Sequence, residues 1–102
     1  METQELSPSQ LLMAEVGELS LVLRGCAKGA EPEIDRSYRA LVLLEKMGDR
    51  LYLASQFDPD NTIFAEYMAD VVTLMNKTAA HIKMLEEAME VAVEEAAHST
   101  LH

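Results

Sequence analysis

From Asp60 to His102 the chain contains no glycine and no proline. Within that segment a row of apolar or small residues recurs at alternating steps of four and three, and we call this row the apolar stripe: Phe64, Met68, Val71, Met75, Thr78, Ile82, Leu85, Met89, Ala92 and Ala96. This spacing is typical of one face of a helix, and it leaves no strict alternation of the kind that predicts strands. We therefore predict one continuous helix from Pro59 to about residue 97, with a length of about 60 Å.

Two further helices are predicted before it. All three prolines follow a polar or acidic residue, which is typical of the first position of a helix. Ser7 can cap the first helix together with Gln10, three residues after it. We predict that this helix runs from residue 8 to about 28 and is ended by Gly29 in the left-handed conformation.

The same spacing of apolar residues occurs in the first two helices. In the first helix these residues are Leu12, Val16, Leu19, Leu23 and Cys26. In the second, predicted from residue 32 to about 56, they are Ile34, Leu41, Leu44, Gly48 and Leu51, with Tyr38, Val42 and Tyr52 broadening the face. A chain of 102 residues supports one hydrophobic core. Residues 1–102 are therefore expected to form a single all-α domain, a three-helix up-down-up bundle with a long C-terminal helix.

The third predicted helix is much longer than its neighbours, which would measure about 30 and 37 Å. An antiparallel hairpin of the first two helices is expected to cover only its first half. Four distal residues would then face water: Ile82, Leu85, Met89 and Val93. Because burying one such side chain contributes about 1.5 to 3 kcal/mol, the four together favour association with another molecule.

Acidic residues are concentrated in the same part of the chain. The sequence has 18 acids and 8 Lys and Arg, a formal charge of −10, and five of the acids follow Lys83 with no further Lys or Arg: Glu86, Glu87, Glu90, Glu94 and Glu95. Carboxylates at four-residue spacing repel one another and lie at the negative end of the helix dipole. An apolar stripe flanked by carboxylates suits an amphipathic helix flanked by Lys or Arg. Charge of this sign argues against direct binding to nucleic acid or to an anionic membrane.

Three other arrangements are compatible with this pattern. The acidic face can be solvated, with the last turns frayed. The third helix can break at residues 76–78, the least apolar part of its stripe, and fold back as a fourth helix. Two copies can also form a homodimer. An antiparallel pairing, which places each acidic end near Lys77 and Lys83 of the other copy, is the less repulsive form.

Histidine occurs in two motifs that are compared with known phosphotransfer and metal-binding patterns. His81 lies on a helix, as in histidine phosphotransfer domains, but that pattern needs a lysine three residues later followed by glycine, and Lys83 and Leu85 do not match it. Glu95 and His98 have the spacing of a metal-binding pair, and His102 follows four residues later, but the motif occurs only once. We therefore expect no metal and no bound cofactor.

The lone Cys26 lies on the stripe of the first helix, where a buried small residue is expected. One cysteine forms no internal disulfide, which fits a reducing compartment such as the cytoplasm. Residues 1–10 lack the charge and apolar pattern of a secretion signal, and no apolar run is long enough to span a bilayer. No phosphate-binding loop or nucleophile motif occurs, so we expect neither a catalytic residue nor an enzyme.

The sequence therefore favours a non-enzymatic helical module for protein–protein interaction, such as an adaptor, a chaperone or an assembly subunit. The residues expected to contact the partner helix or second copy are Ile82, Leu85, Met89, Val93, Glu86, Glu90 and Glu94. The alternative is an acidic inhibitor of the phage type, which imitates nucleic-acid phosphates and occupies a basic groove on its target.

Overall fold

The computed structural model of the protein describes residues 5–100, with side chains for residues 5–99. In that range the chain forms three α-helices and no strand: α1 (Pro8–Cys26), α2 (Glu33–Phe57) and α3 (Ile63–Thr100). Contacts between Glu15 and Arg50, and between Glu33 and His81, show that consecutive helices run antiparallel. The predicted all-α architecture of three helices with a long last one is confirmed.

α1 begins as predicted but ends earlier. The Ser7 side-chain oxygen accepts from the backbone N–H of Gln10 at 3.2 Å, and the Gln10 side chain accepts from the N–H of Ser7 at 2.8 Å. The helix ends at Cys26, and Ala27 keeps a right-handed conformation, so the prediction of a left-handed Gly29 is wrong. Arg36 of α2 donates to the Ala27 carbonyl at 3.0 Å and thereby satisfies one of the groups that a glycine cap would otherwise satisfy.

α3 begins four residues after the predicted Pro59. Asp58 still belongs to the end of α2, since its N–H donates to the carbonyl of Ala54 at 3.0 Å. Asn61 accepts from the N–H of Ile63 at 3.1 Å and so caps α3 in place of Asp58. α3 then continues without a break through residues 76–78. The fold-back into a fourth helix does not occur.

The core lies along α2, which packs against both of its neighbours. Its buried cluster is Val16, Leu44, Met47, Leu51, Ala54, Phe64 and Val71. Five of these seven residues were predicted from spacing, whereas Met47 and Ala54 were not. Because α2 contacts two helices, its buried face extends to these two residues. The prediction that Tyr38, Val42 and Tyr52 broaden the buried face is wrong, since all three are exposed.

The three helices form an open arrangement. Among residues 5–100, no Cα atom of α1 lies within 8 Å of one in α3. The molecule measures 77 × 27 × 14 Å along its principal axes, so it is long and flat. A cleft therefore remains between α1 and α3, with α2 as its floor.

Candidate interaction surface

The C-terminal part of α3 extends beyond the first residues of α2. Nε2 of His81 lies 2.8 Å from a carboxylate oxygen of Glu33, the first residue of α2, and the hydroxyl of Tyr38 donates to Glu86. Every residue from Glu86 to Ser99 is exposed. We call residues 87–100 the overhang, which is about 21 Å long at 1.5 Å per residue.

The four apolar residues predicted to face water do not share one environment. Ile82 is only 5% exposed, and Leu85 is half-buried. Met89 is 53% exposed and Val93 68% exposed. The expectation for Ile82 is wrong because the first turns of α2 reach its level on α3. The exposed part of the stripe therefore begins at Met89, about two turns later than predicted.

A cleft of about 530 Å³ lies where the overhang leaves α2, and we call it the notch. Its apolar lining comes from both helices: Ile34, Tyr38, Met89 and Val93. Its acidic lining comes from α3 alone: Glu86, Glu90 and Glu94. Five of the seven residues predicted for the partner contact, all except Ile82 and Leu85, are thus brought together around one cleft.

The contribution of Ile34 and Tyr38 to this surface was missed from the sequence. They lie on a different helix, some 50 residues away from Met89 in the chain. The available signal was the short connection between α2 and α3. Counting equal distances back along α2 and forward along α3 from that connection places the first turns of α2 opposite residues 82–87.

The overhang is strongly acidic. Its four glutamates and the neighbouring Glu86 have no Lys or Arg beyond Lys83 to balance them. The hydrogen bond from Tyr38 to Glu86 raises the pKa of the Tyr38 hydroxyl above its usual 10.0, and desolvation and the negative charge of Glu86 act in the same direction. The raised pKa extends to more alkaline solution the range in which the phenol is protonated and donates to the carboxylate.

A second cleft, of about 450 Å³, is the opening between α1 and α3, and we call it the cationic cleft. Leu23 of α1, Leu44 of α2 and Leu74 of α3 form its apolar surface. Arg36 and Lys77 supply its positive charge. Arg36 donates to the backbone carbonyls of Ala27 and Glu31. The cleft also contains one carboxylate, Glu33, which lies against His81, so its two cations exceed its acidic lining by one.

His81 of α3 and Cys26 of α1 both line the cationic cleft. His81 lies against the Glu33 carboxylate, whose negative charge opposes the arrival of a phosphoryl group. Cys26 is buried, as predicted. Within residues 5–99 no three His, Cys, Asp or Glu side chains are close enough to hold a metal ion. His102, the third residue of the metal hypothesis, lies outside the described residues.

Comparison of the chain with models of protein families, with curated proteins and with solved structures found no match. No helix among the described residues has the length and apolar character needed to cross a membrane.

Proposed function

We propose that the protein is a non-enzymatic helical interaction module that binds through the notch and the overhang. The observation that carries this proposal is the exposure of Met89 and Val93, which continue the stripe that is buried at Phe64, Val71 and Ile82. The same apolar row thus forms the core at one end of α3 and a surface at the other. An exposed continuation of a core face is typical of a protein–protein contact.

The size of this apolar surface indicates what a partner must supply. The exposed parts of Met89 and Val93 correspond to about 2 to 4 kcal/mol when buried, taking 1.5 to 3 kcal/mol for a whole side chain. A micromolar complex needs about 8 kcal/mol net of the free energy lost on association. The partner must therefore also contact Ile34 and Tyr38 and place cations beside the glutamates.

The kind of partner follows from the charges around the notch. Glu86, Glu90 and Glu94 form one row at four-residue spacing, with the apolar residues beside it. A helical surface with apolar side chains flanked by Lys or Arg would cover the stripe and neutralise this row. The protein would then act as an adaptor, chaperone or assembly subunit, and the free, buried Cys26 suits the reducing cytoplasm.

A synthetic amphipathic peptide with a leucine stripe flanked by lysines is a suitable probe. Val93→Ser should weaken its binding about tenfold, a change of about 1.4 kcal/mol. Val91→Ser is the matched control, because Val91 is also an exposed valine of the overhang but does not line the notch. The pair Met89→Ser and Met84→Ser provides the same comparison. Binding can be measured by isothermal titration calorimetry.

Two results would overturn the proposal. Equal weakening by Val93→Ser and Val91→Ser would mean that the peptide does not prefer the face of α3 that lines the notch. Equal binding of a lysine-rich peptide without the leucine stripe, with a steep dependence on salt, would support the phosphate-imitating inhibitor instead.

A further inference from the structure

We propose that the surface covering the overhang is the cationic cleft of a second copy of this chain, in an antiparallel dimer with two equivalent contacts. This inference rests on the proposed function, because it names the partner of the same overhang. It is argued from the distribution of charge, from the open cleft and from the position of both surfaces on the molecule.

Positive charge is concentrated beside the overhang. Six of the eight Lys and Arg of the chain lie at the end of the bundle formed by the end of α1, the start of α2 and residues 77–83 of α3: Arg24, Lys28, Arg36, Arg39, Lys77 and Lys83. Arg39 pairs with Glu31 at 2.8 Å. Among the residues the structure describes, Lys77 and Lys83 form no ion pair of this kind. The same end also carries Glu31, Glu33 and Asp35, of which Glu31 pairs with Arg39 and Glu33 with His81. Within the described part of the chain, Lys77, Lys83 and the glutamates of the overhang therefore remain outside any ion pair.

The cationic cleft also offers apolar surface that an acidic helix can cover. Leu23, Leu44 and Leu74 reach it from all three helices, and α1 and α3 are too far apart to close over it. Along α3 it extends from Leu74 to His81, about 10 Å at 1.5 Å per residue, so the overhang of about 21 Å is long enough to cross it. The overhang brings Ala92 and Ala96 of the apolar stripe and the neighbouring Val93.

Both surfaces lie at the same end of one molecule, which suits two-fold symmetry. In an antiparallel dimer each overhang points toward the bundle of the other copy and away from the other overhang. Glutamates of one copy then lie beside Lys77 and Lys83 of the other, and the reverse contact forms at the same time. An interface of this kind uses one patch on each copy and closes at the dimer.

Charge reversal tests this arrangement. Light scattering and sedimentation equilibrium of the full chain should give the mass of a dimer. Lys77→Glu with Lys83→Glu should raise the dimer dissociation constant at least tenfold, as should Glu87→Lys with Glu94→Lys, since antiparallel pairing that places Glu94 beside Lys77 places Glu87 beside Lys83. The variant carrying all four changes restores opposite charges across both contacts, so its dissociation constant should return to within about threefold of the wild type.

Lys46→Glu is the matched control, because Lys46 is an exposed lysine in the middle of α2, away from the end of the bundle that carries Lys77, which lines the cationic cleft, and Lys83, which lies outside that lining. It should leave the dissociation constant unchanged. Circular dichroism of each variant establishes that the helices are retained.

Three outcomes would overturn the inference: a wild-type monomer at about 100 µM, a dimer insensitive to the paired charge reversals, or a four-fold variant that stays monomeric while helical. A monomer that binds the lysine-flanked peptide through Val93 would overturn the dimer and leave the proposed function standing. A dimer whose overhang residues do not matter would overturn the inference, and the proposed function would fall with it if Val93→Ser and Val91→Ser also weakened peptide binding equally.

Discussion

Ile82 and Val93 lie on the same side of α3, about three turns apart, and the structure predicts opposite consequences of truncating them. Ile82 is 5% exposed, and Ile82→Ala removes three buried carbon atoms. At about 0.8 kcal/mol per carbon, the free energy of unfolding should fall by about 2.4 kcal/mol. Val93 is 68% exposed, so Val93→Ala loses about 0.5 kcal/mol of burial, which the better helix propensity of alanine offsets.

Urea unfolding followed by circular dichroism measures both changes. With a denaturant slope of about 1.5 kcal/mol per molar, Ile82→Ala should lower the midpoint by about 1.6 M, whereas Val93→Ala should hardly move it. Because association adds to apparent stability, the comparison requires two protein concentrations. Only the shift in the unfolding midpoint caused by Val93→Ala should depend on the protein concentration. Equal destabilisation by both substitutions, independent of concentration, would show that the overhang packs on its own chain and would refute the reasoning.

Three other substitutions test local features of the fold. Ser7→Ala removes the hydroxyl that caps α1 and should lower the free energy of unfolding by about 1 kcal/mol, measured by urea unfolding. Gly48→Ala should raise it by about 1 kcal/mol, because a Cβ at this helical position would lie 3.8 Å from Cγ1 of Val71, an ordinary contact. Glu86→Gln should lower the pKa of Tyr38 in an ultraviolet titration, since the raised pKa depends first on the carboxylate; in the wild type this contact stabilises the fold below about pH 10 and is lost as the pH rises through the raised pKa.

The spacing of apolar residues predicted the fold more completely than it predicted where the helices begin and end. The apolar stripe of α3 predicted a single long helix because 3.6-residue periodicity is a local property that the sequence displays directly. The start of α3 was misplaced because Asp58 and Asn61 are both capable caps. The choice of Asn61 depends on Asp58 being held by the carbonyl of Ala54 in the last turn of α2. That contact is formed only when α2 is already folded to Phe57.

The sequence predicted which kinds of side chain form the candidate surface, but not where along α3 that surface begins. Exposure at Met89 and Val93 and the row of glutamates were evident from pattern and charge. The burial of Ile82 was not, because it depends on how far α2 reaches along α3 in the folded protein. The cationic cleft was missed altogether, since Leu23 and Leu74 come from helices that are not adjacent in sequence.

Within residues 5–100 the backbones of α1 and α3 do not approach each other closely, and this affects how the protein folds and unfolds. All backbone packing joins helices that are consecutive in the sequence, a topology of low contact order that favours rapid folding. The same topology predicts that unfolding can proceed in two steps. α1 can separate from α2 while the longer hairpin of α2 and α3 keeps its backbone contacts, so amide protons of α1 should exchange with solvent before those of α2.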